Sequence, residues 1–189
     1  MASTLRWTSA DLEALPDDGK RYEIIDGELY VSKQPHYYHQ LVCSRLQVRL
    51  QISCDQSKAG QTTQTPGIIF AEDDDVAPDV IWISNQRLAT ALGADGMLHG
   101  APELVIEVLS PGSKNEQRDR EAKLKLYSRR GVNEYWIVDW LRRLVEVYRR
   151  EQAQLQLVCT LYEQDTLTTP FLPGFSYLIA DLFDGITSN

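Results

Sequence analysis

The stretch that decides the fold is Leu104-Val105-Ile106-Glu107-Val108-Leu109, an almost continuous apolar run that contains one carboxylate. Such a run is typical of a central strand that is covered on both faces of a sheet. The strand ends at Ser110-Pro111-Gly112-Ser113, a helix is predicted over residues 114–130, and Gly131 caps that helix. A second strand is predicted at Glu134-Tyr135-Trp136-Ile137-Val138-Asp139. The core of the predicted fold is therefore a strand-helix-strand unit.

The rest of the chain predicts shorter elements around this unit. Residues 22–31 contain two β-prone runs on either side of Asp26-Gly27, which is a strong signal for a β-hairpin. Residues 35–57 carry apolar side chains with mostly helical spacing and predict a long helix, with Gly60 just past its end. The other predictions are a short helix ending near Pro16, two strands joined by a turn within 67–83, a surface excursion over 85–100, strands at 143–149, 154–161 and 166–168, and a short helix near 179–184.

The composition predicts one globular domain over residues 1–189. Hydrophobic residues make up 43% of the chain and charged residues 24%, which excludes disordered, collagen-like and coiled-coil proteins. Because the sequence has neither an apolar run long enough to span a membrane nor the apolar stretch of a secretory signal, we expect a cytoplasmic protein without a membrane partner. The three cysteines are an odd number without metal-type spacing, which argues against a disulfide framework and a zinc site.

The charge distribution is uneven. The net charge of −8 has the wrong sign for a protein that holds nucleic acid by bulk electrostatics. Residues 111–150, however, contain 11 Lys or Arg and 6 Asp or Glu. Such a basic region is most often a solvated face, but its position beside the central strand would also allow contact with phosphate groups. The sequence contains no Walker loop, GxGxxG, GxSxG or HExxH pattern, which excludes several common enzyme classes.

Two acidic residues occupy positions that are costly for a charge. Asp79 follows Pro78 at the start of an apolar strand, and Glu107 lies inside the most apolar strand of the chain. A buried carboxylate loses much of its solvation free energy unless it is paired or bound to a metal. A structural ion pair would satisfy either acid alone. Two carboxylates on neighbouring core strands suit Mg²⁺ or Mn²⁺, which prefer oxygen ligands.

The helix predicted over residues 114–130 adds a basic residue to this pair. At about 100° per residue, the inward stripe that contains Tyr127 also contains Asp119 and Lys123. Lys123 could then place its ammonium beside Glu107, or extend to solvent from the edge of the stripe. Asp119, Lys123 and Tyr127 follow one another at intervals of four residues, so Asp119 could instead pair with Lys123 along the helix.

Glu23 and His39 are the remaining candidates for a site. Glu23 lies in the predicted hairpin, and His39 lies near the start of the long helix. Taken alone, each is more simply explained by a surface position or by a hydrogen bond within the protein.

Together these motifs resemble the Uma-type restriction endonuclease family, which belongs to the PD-(D/E)xK nuclease superfamily. The resemblance extends over about residues 5–180 and rests on residues 22–28, His39, residues 77–80, residues 102–111, the spacing of Asp119, Lys123 and Tyr127, and residues 131–139. It implies an α/β (α+β) fold of the restriction-endonuclease-like type, in which a central mixed β-sheet is flanked by helices.

The resemblance also implies a metal site. Asp79 and Glu107 would be the acidic ligands of Mg²⁺ or Mn²⁺, and Glu23 would be the additional acid often found near a site of this type. The accessory candidates are His39, Asp119 and Tyr127.

The lysine of the superfamily is displaced in this chain. The standard E-x-K motif would have a lysine at position 109, where this chain has Leu109. Either the lysine has moved to Lys123 on the following helix, which the helical phase favours, or the site is impaired.

The predicted function is metal-assisted hydrolysis of DNA phosphodiester bonds, in which Lys123 orients the attacking water or stabilises the developing negative charge. The alternative is a catalytically inactive module that keeps the nuclease fold and binds nucleic acid or protein, which the net charge and Leu109 favour. A hydrolase for a small phosphorylated substrate would suit the acidic chain, but no distinct motif supports it. Since cleavage of a duplex needs two sites, the resemblance also implies a homodimer.

Overall fold

The computed structural model describes residues 5–187. Its strands are β1 (Arg21–Ile25), β2 (Glu28–Ser32), β3 (Gly60–Gln64), β4 (Ile68–Ala71), β5 (Asp74–Val76), β6 (Val80–Ser84), β7 (Leu104–Val108), β8 (Glu134–Asp139), β9 (Leu144–Glu151), β10 (Gln154–Leu161), β11 (Thr166–Leu167) and β12 (Tyr177–Leu178). Its helices are α1 (Ser9–Leu12), α2 (Tyr37–Ser57), α3 (Asn85–Ala91), α4 (Ser113–Gln117), α5 (Leu124–Arg130) and α6 (Ile179–Leu182), and a π-helical segment, Arg118–Lys123, joins α4 to α5. Within this part of the chain, no helix has both the length and the apolar character that a membrane span requires.

A six-stranded mixed sheet forms the centre of the molecule, in the order β10-β9-β8-β7-β6-β3. β7 and β8 are parallel and are connected by the helices between them, whereas the other neighbours in this sheet pair antiparallel. Every residue of β7 and β8 is buried, because both faces of these strands are covered. The predicted strand-helix-strand unit and the central mixed sheet flanked by helices are thus confirmed.

The alternation of side chains along β7 divides the core between the two faces of this sheet. Ile106 faces α2 and belongs to the same apolar cluster as Leu46 of that helix. Val105 faces the opposite way and belongs to the cluster that contains Leu126 of α5. Glu107 follows two residues after Val105, so its carboxylate is directed toward the α5 layer.

A smaller four-stranded sheet, in the order β2-β1-β5-β4, packs on the same face as α5. Its β1-β2 hairpin turns at Asp26 and Gly27, whose φ angles of 53° and 75° are those of the left-handed region. An Asp-Gly pair tolerates this conformation well, which is why it predicts the hairpin correctly. The wholly buried Asp74 of β5 accepts bonds from the Asp26 N–H and from Arg129 and Arg130 of α5, and so fastens the small sheet to that helix.

Several local elements differ from the sequence prediction. β3 was missed because its residues, Gly-Gln-Thr-Thr-Gln, are mostly polar, as an edge strand permits. Residues 67–83 form three strands instead of two, since part of the acidic stretch belongs to β5. The long helix ends at Lys58 in the left-handed conformation, so Gly60 begins β3. The helix over 114–130 is interrupted by the π-helical segment.

Leu46 and Val48 of α2 allow a matched test of this packing. Leu46 is wholly buried against the central sheet, whereas Val48 is 59% exposed on the same helix. We expect Leu46→Ala to lower the free energy of unfolding by about 3 kcal/mol, because it leaves a cavity in the core. Val48→Ala should change it by less than about 0.5 kcal/mol. Urea denaturation followed by circular dichroism measures both values, and equal losses would contradict the described orientation of α2.

Candidate active site

A cleft of about 470 Å³ opens at the end of the central sheet where β7 ends and β6 begins. The antiparallel register pairs Val80 with Ile106, so the residues that follow in each direction, Asp79 and Glu107, come to the same end of the sheet. Both acids line the cleft. The structure therefore brings together the two carboxylates that the sequence predicts as metal ligands.

Asp79 is held by three donors. Its Oδ1 accepts a hydrogen bond from Arg21 at 3.1 Å, and its Oδ2 accepts one from the backbone N–H of Val108 at 2.9 Å. The Nε2 atom of His39 lies 3.1 Å from the same Oδ2. Burial acts to raise the pKa of Asp79, but His39, Arg21 and Lys123 outweigh it and hold the pKa below its ordinary value. Asp79 is therefore ionised and fixed in orientation.

Glu107 is held by two donors on the helix that follows its strand. Its Oε1 accepts hydrogen bonds from the Lys123 ammonium and from the Tyr127 hydroxyl, both at 2.8 Å. The side chains of Lys123 and Tyr127 are wholly buried. Burial is the largest effect on the pKa of Glu107 and raises it, and the nearby carboxylates of Asp79, Asp119 and Glu23 raise it further. Together they outweigh the opposite effect of Lys123, so the pKa is about 8. Glu107 is thus a carboxyl group that exchanges its proton near neutral pH.

Glu23 of β1 reaches the same lysine from the small sheet. Its Oε1 lies 3.0 Å from the Lys123 Nζ and accepts the backbone N–H of Ala77, also at 3.0 Å. Its Oε2 is buried without a hydrogen-bond partner among the described residues, with Arg118 at 3.7 Å. Burial opposes ionisation of Glu23, but Lys123, Arg118 and Arg21 lower its pKa below the ordinary value. Lys123 therefore bridges Glu23 on one sheet to Glu107 on the other.

The π-helical segment lets one turn of helix place two cations on Glu23. Arg118 and Lys123 are five residues apart, which is the hydrogen-bond interval of a π-helix, so their side chains emerge on one face. Asp119 lies beside them, with its Oδ1 3.0 Å from Arg118 and 3.9 Å from Lys123. The predicted pairing of Asp119 with Lys123 is therefore weaker than the contacts that Lys123 makes with Glu107 and Glu23. Burial raises the pKa of Asp119.

The charges of this cluster do not balance when every carboxyl group is ionised. Its acids are Asp79, Glu107, Glu23 and Asp119, and its permanent cations are Arg21, Arg118 and Lys123. The acids thus exceed these cations by one, and His39 beside Asp79 adds a positive charge only when it is protonated. Burial is the first cause of the raised pKa of Glu107, and the surrounding carboxylates add to it, so Glu107 is the acid that carries a compensating proton in the free protein.

His39 connects Asp79 to a cysteine. Its Nδ1 lies 3.6 Å from the Sγ of Cys43, and ligand atoms of His39, Cys43 and Asp79 all lie within 4.8 Å of one another. A Cys-His-Asp arrangement can activate a thiol as a nucleophile. Here Cys43 is only 2% exposed, and burial raises the pKa of its thiol far above the ordinary value, so it is not a nucleophile.

The oxygen donors in the cleft fit a hard divalent cation. A carboxylate offers about four acceptor positions, and the donors described above occupy three of them on Asp79. Among the described residues, no hydrogen bond reaches Oε2 of Glu107, which lines the cleft. Asp79 and Glu107 therefore have the oxygen atoms that Mg²⁺ and Mn²⁺ prefer. The His39, Cys43 and Asp79 group offers nitrogen and sulfur donors, which suit softer metals such as zinc.

Arg21 and Arg118 are members of this cluster that sequence reasoning missed as site residues. Arg21 shares a strand face with Glu23, two residues away, and this period was a signal that could have found it. Arg118 could not be placed, because an uninterrupted α-helix would turn it away from Lys123.

Most of the other basic residues of the 111–150 region are engaged within the protein instead of forming a free basic face. Their partners are Glu146 for Arg120, Asp26 for Lys125 and Arg129, Asp74 for Arg130, Asp139 for Arg142, Glu163 for Arg143, Glu134 for Arg149 and backbone carbonyl groups for Arg150.

A mixed sheet of this topology, with acids from β1, β7 and the start of β6 around one buried lysine, defines a restriction-endonuclease-like fold. The chain belongs to the Uma2 family, whose model, described as "Putative restriction endonuclease", matches residues 9–182. None of the curated proteins matches the chain.

A solved structure shares the fold. It is the crystal structure of a protein from Anabaena variabilis ATCC 29413, described as a putative nuclease belonging to DUF820. The two are 19% identical and superpose with a TM-score of 0.74 over 93% of this chain and 97% of the other. The resemblance to the Uma-type family and the restriction-endonuclease-like fold are thereby confirmed.

The raised pKa of Glu107 predicts how stability depends on pH in metal-free protein. Between its ordinary pKa of 4.5 and the folded-state value of about 8, the folded protein binds more protons at this residue than the unfolded chain does. Stability contributed by Glu107 therefore falls as the pH rises through this interval. Glu107→Gln, which cannot ionise, should gain more than about 1 kcal/mol over wild type between pH 5 and pH 8.

Urea denaturation in EDTA at both pH values measures this difference. Glu121→Gln, at an exposed position on the same helical segment, is the control and should follow wild type. A wild type and a Glu107→Gln variant that lose stability in parallel would contradict the raised pKa.

Proposed function

We propose that the protein is a metal-dependent endonuclease that hydrolyses phosphodiester bonds of DNA. The single observation that carries this proposal is the carboxylate in excess at a cleft that Asp79 and Glu107 line together. Asp79 and Glu107 would hold a divalent cation there, and its charge would take the place of the proton on Glu107. Membership of a family whose model is described as "Putative restriction endonuclease" supports the same reaction.

Asp79 and Glu107 are the residues that hold Mg²⁺ or Mn²⁺ in this proposal. When bound, the cation polarises the scissile phosphate and lowers the pKa of a water molecule. The substrate phosphate is bound by Arg21 and Arg118, which line the same cleft. In each of them, the hydrogen bonds among described residues use other nitrogen atoms and leave Nη2 available. A guanidinium group binds phosphate oxygens in pairs, which also orients the phosphate.

Lys123 acts from behind Glu107 in this proposal. Sequence reasoning predicts that it orients the attacking water or stabilises the developing charge. Its Nζ, however, is wholly buried between Glu107 and Glu23, and the cations along the described cleft wall are Lys20, Arg21, Lys33 and Arg118. This burial favours a positioning role in which Lys123 and Tyr127 fix the Glu107 carboxylate and stabilise its ionised form.

The experiment that tests the proposal compares Glu107→Gln with Glu121→Gln. In Glu107→Gln the amide oxygen of the new side chain still accepts bonds from Lys123 and Tyr127, so the fold is retained, but the neutral side chain binds a cation weakly. We expect Mg²⁺- or Mn²⁺-dependent cleavage of supercoiled and single-stranded DNA by wild type and by Glu121→Gln, and at least a hundredfold loss in Glu107→Gln. Gel assays with and without EDTA, together with calorimetric titration of the metal, measure cleavage and binding on the same samples. Cleavage by Glu107→Gln at the wild-type rate would contradict the assignment.

A non-catalytic binding module is the second candidate function. The observation that favours it is that three donors already hold both oxygen atoms of Asp79 without a metal. Absence of both metal binding and cleavage in the experiment above would support this candidate. Homodimer formation and cytoplasmic location stay predictions from the sequence.

A further inference from the structure

An aromatic cluster lies at the start of α2, next in the chain to residues that line the cleft. The aromatic cluster consists of His36, Tyr37, Tyr38 and Trp140. Pro35 and His39 both line the cleft. His36, Tyr37 and Tyr38 lie between them in the chain and are therefore adjacent to the cleft. The proposed reaction assigns no role to these side chains.

The buried part of the aromatic cluster is rigid. The His36 ring stacks on Trp140 with centroids 5.0 Å apart and planes 20° apart. Trp140 is only 4% exposed and donates its indole N–H to the Leu109 carbonyl at 3.0 Å, two residues beyond Glu107. Tyr38 packs against Trp140 and hydrogen-bonds to Thr187 at 3.0 Å. The cluster is therefore fixed to the strand that carries Glu107.

Tyr37 is the exposed member of the cluster. It is 73% exposed, and its ring meets Tyr38 in an edge-to-face contact with centroids 5.7 Å apart. Such a contact occupies at most one face of the ring, so the other is open to solvent. His36 is also exposed beyond its stacked face. A rigid base with open ring faces is the arrangement on which unpaired nucleobases stack.

Positive charge borders the same cleft although the chain as a whole is acidic. Lys20, Lys33 and the two arginines line it, and Lys33 takes part in none of the ion pairs between described residues. A groove with these cations along its wall is complementary to an anionic chain, and the open aromatic rings beside it favour a phosphate backbone that carries nucleobases.

We infer that the aromatic cluster binds an unpaired base of a single-stranded nucleic-acid segment whose backbone passes Lys33 into the cleft. Bases in an intact duplex have both faces occupied by their neighbours, so Tyr37 stacks only on a base that is unpaired or at a strand end. The inference deepens the proposed function by naming the substrate class, and it rests on that function for the position of the cleaved phosphate.

The test measures binding without catalysis. Fluorescence anisotropy in EDTA compares a hexamer of thymidylate with a hexameric abasic sugar-phosphate of the same charge. We expect wild type to bind the thymidylate hexamer about tenfold more tightly than the abasic one. Tyr37→Ala should lose this preference and leave abasic binding unchanged, whereas Tyr37→Phe should keep it because stacking needs no hydroxyl group. Lys33→Gln should weaken binding of both hexamers.

Tyr162→Ala is the matched control, since Tyr162 is 49% exposed and follows β10, a strand that contributes no residue to the cleft wall. It should bind as wild type does. The inference would be overturned if wild type bound the two hexamers equally or bound neither, or if Tyr37→Ala bound the thymidylate hexamer as wild type does. It would also be overturned if a blunt duplex of the same strand length competed as well as the thymidylate hexamer. Metal-dependent cleavage combined with binding that does not depend on bases would overturn the stacking inference but not the proposed function. Base-dependent binding without cleavage would overturn the proposed function but not the stacking inference.

Discussion

The contact on which the site depends is the buried ammonium of Lys123. It lies 2.8 Å from Glu107 on the central sheet and 3.0 Å from Glu23 on the small sheet, and its own helix packs on both. Three layers that are distant in sequence are thus held together by one cation. Removing one partner from such a buried group costs about 3 to 5 kcal/mol, because the remaining charges lose their compensation. The position of Lys123 is therefore a condition of the fold as well as of the site.

The charges of the same cluster are the basis of the proposed cation site. With three permanent cations for four acids, the cluster carries one negative charge unless a carboxyl group or His39 is protonated or another cation is bound. Glu107 has this role because it is buried and its one ion pair among the described residues is with Lys123, which it shares with Glu23. Binding of a cation and release of a proton are then coupled, as is usual where a metal displaces a proton from its ligand. The acidic net charge of the chain does not oppose this reaction, since the cleft itself is bordered by cations.

Much of this architecture follows from local sequence patterns. The apolar run around Glu107, the Asp26-Gly27 turn and the cap at Gly131 each specify a backbone conformation, and the helical period alone turns Lys123 inward. What the sequence could not predict depends on tertiary contacts. β3 has no apolar pattern of its own and exists because it pairs with β6. The role of Arg118 requires the π-helical segment, which no residue in the sequence predicts. Arg21 contacts Asp79 only because the small sheet packs over the start of β6.

In the proposed site, Glu107 carries the proton that compensates the excess carboxylate and exchanges it for a divalent cation. Carbon-13 NMR of protein labelled at the glutamate carboxyl carbons, with Glu107→Gln used to assign the signal, measures this directly. The account predicts a midpoint near pH 8 without metal. It also predicts that saturating Mg²⁺ converts the Glu107 signal at pH 7 to that of the ionised form. Titration of Glu107 near its ordinary value of 4.5, unaffected by Mg²⁺, would contradict the account.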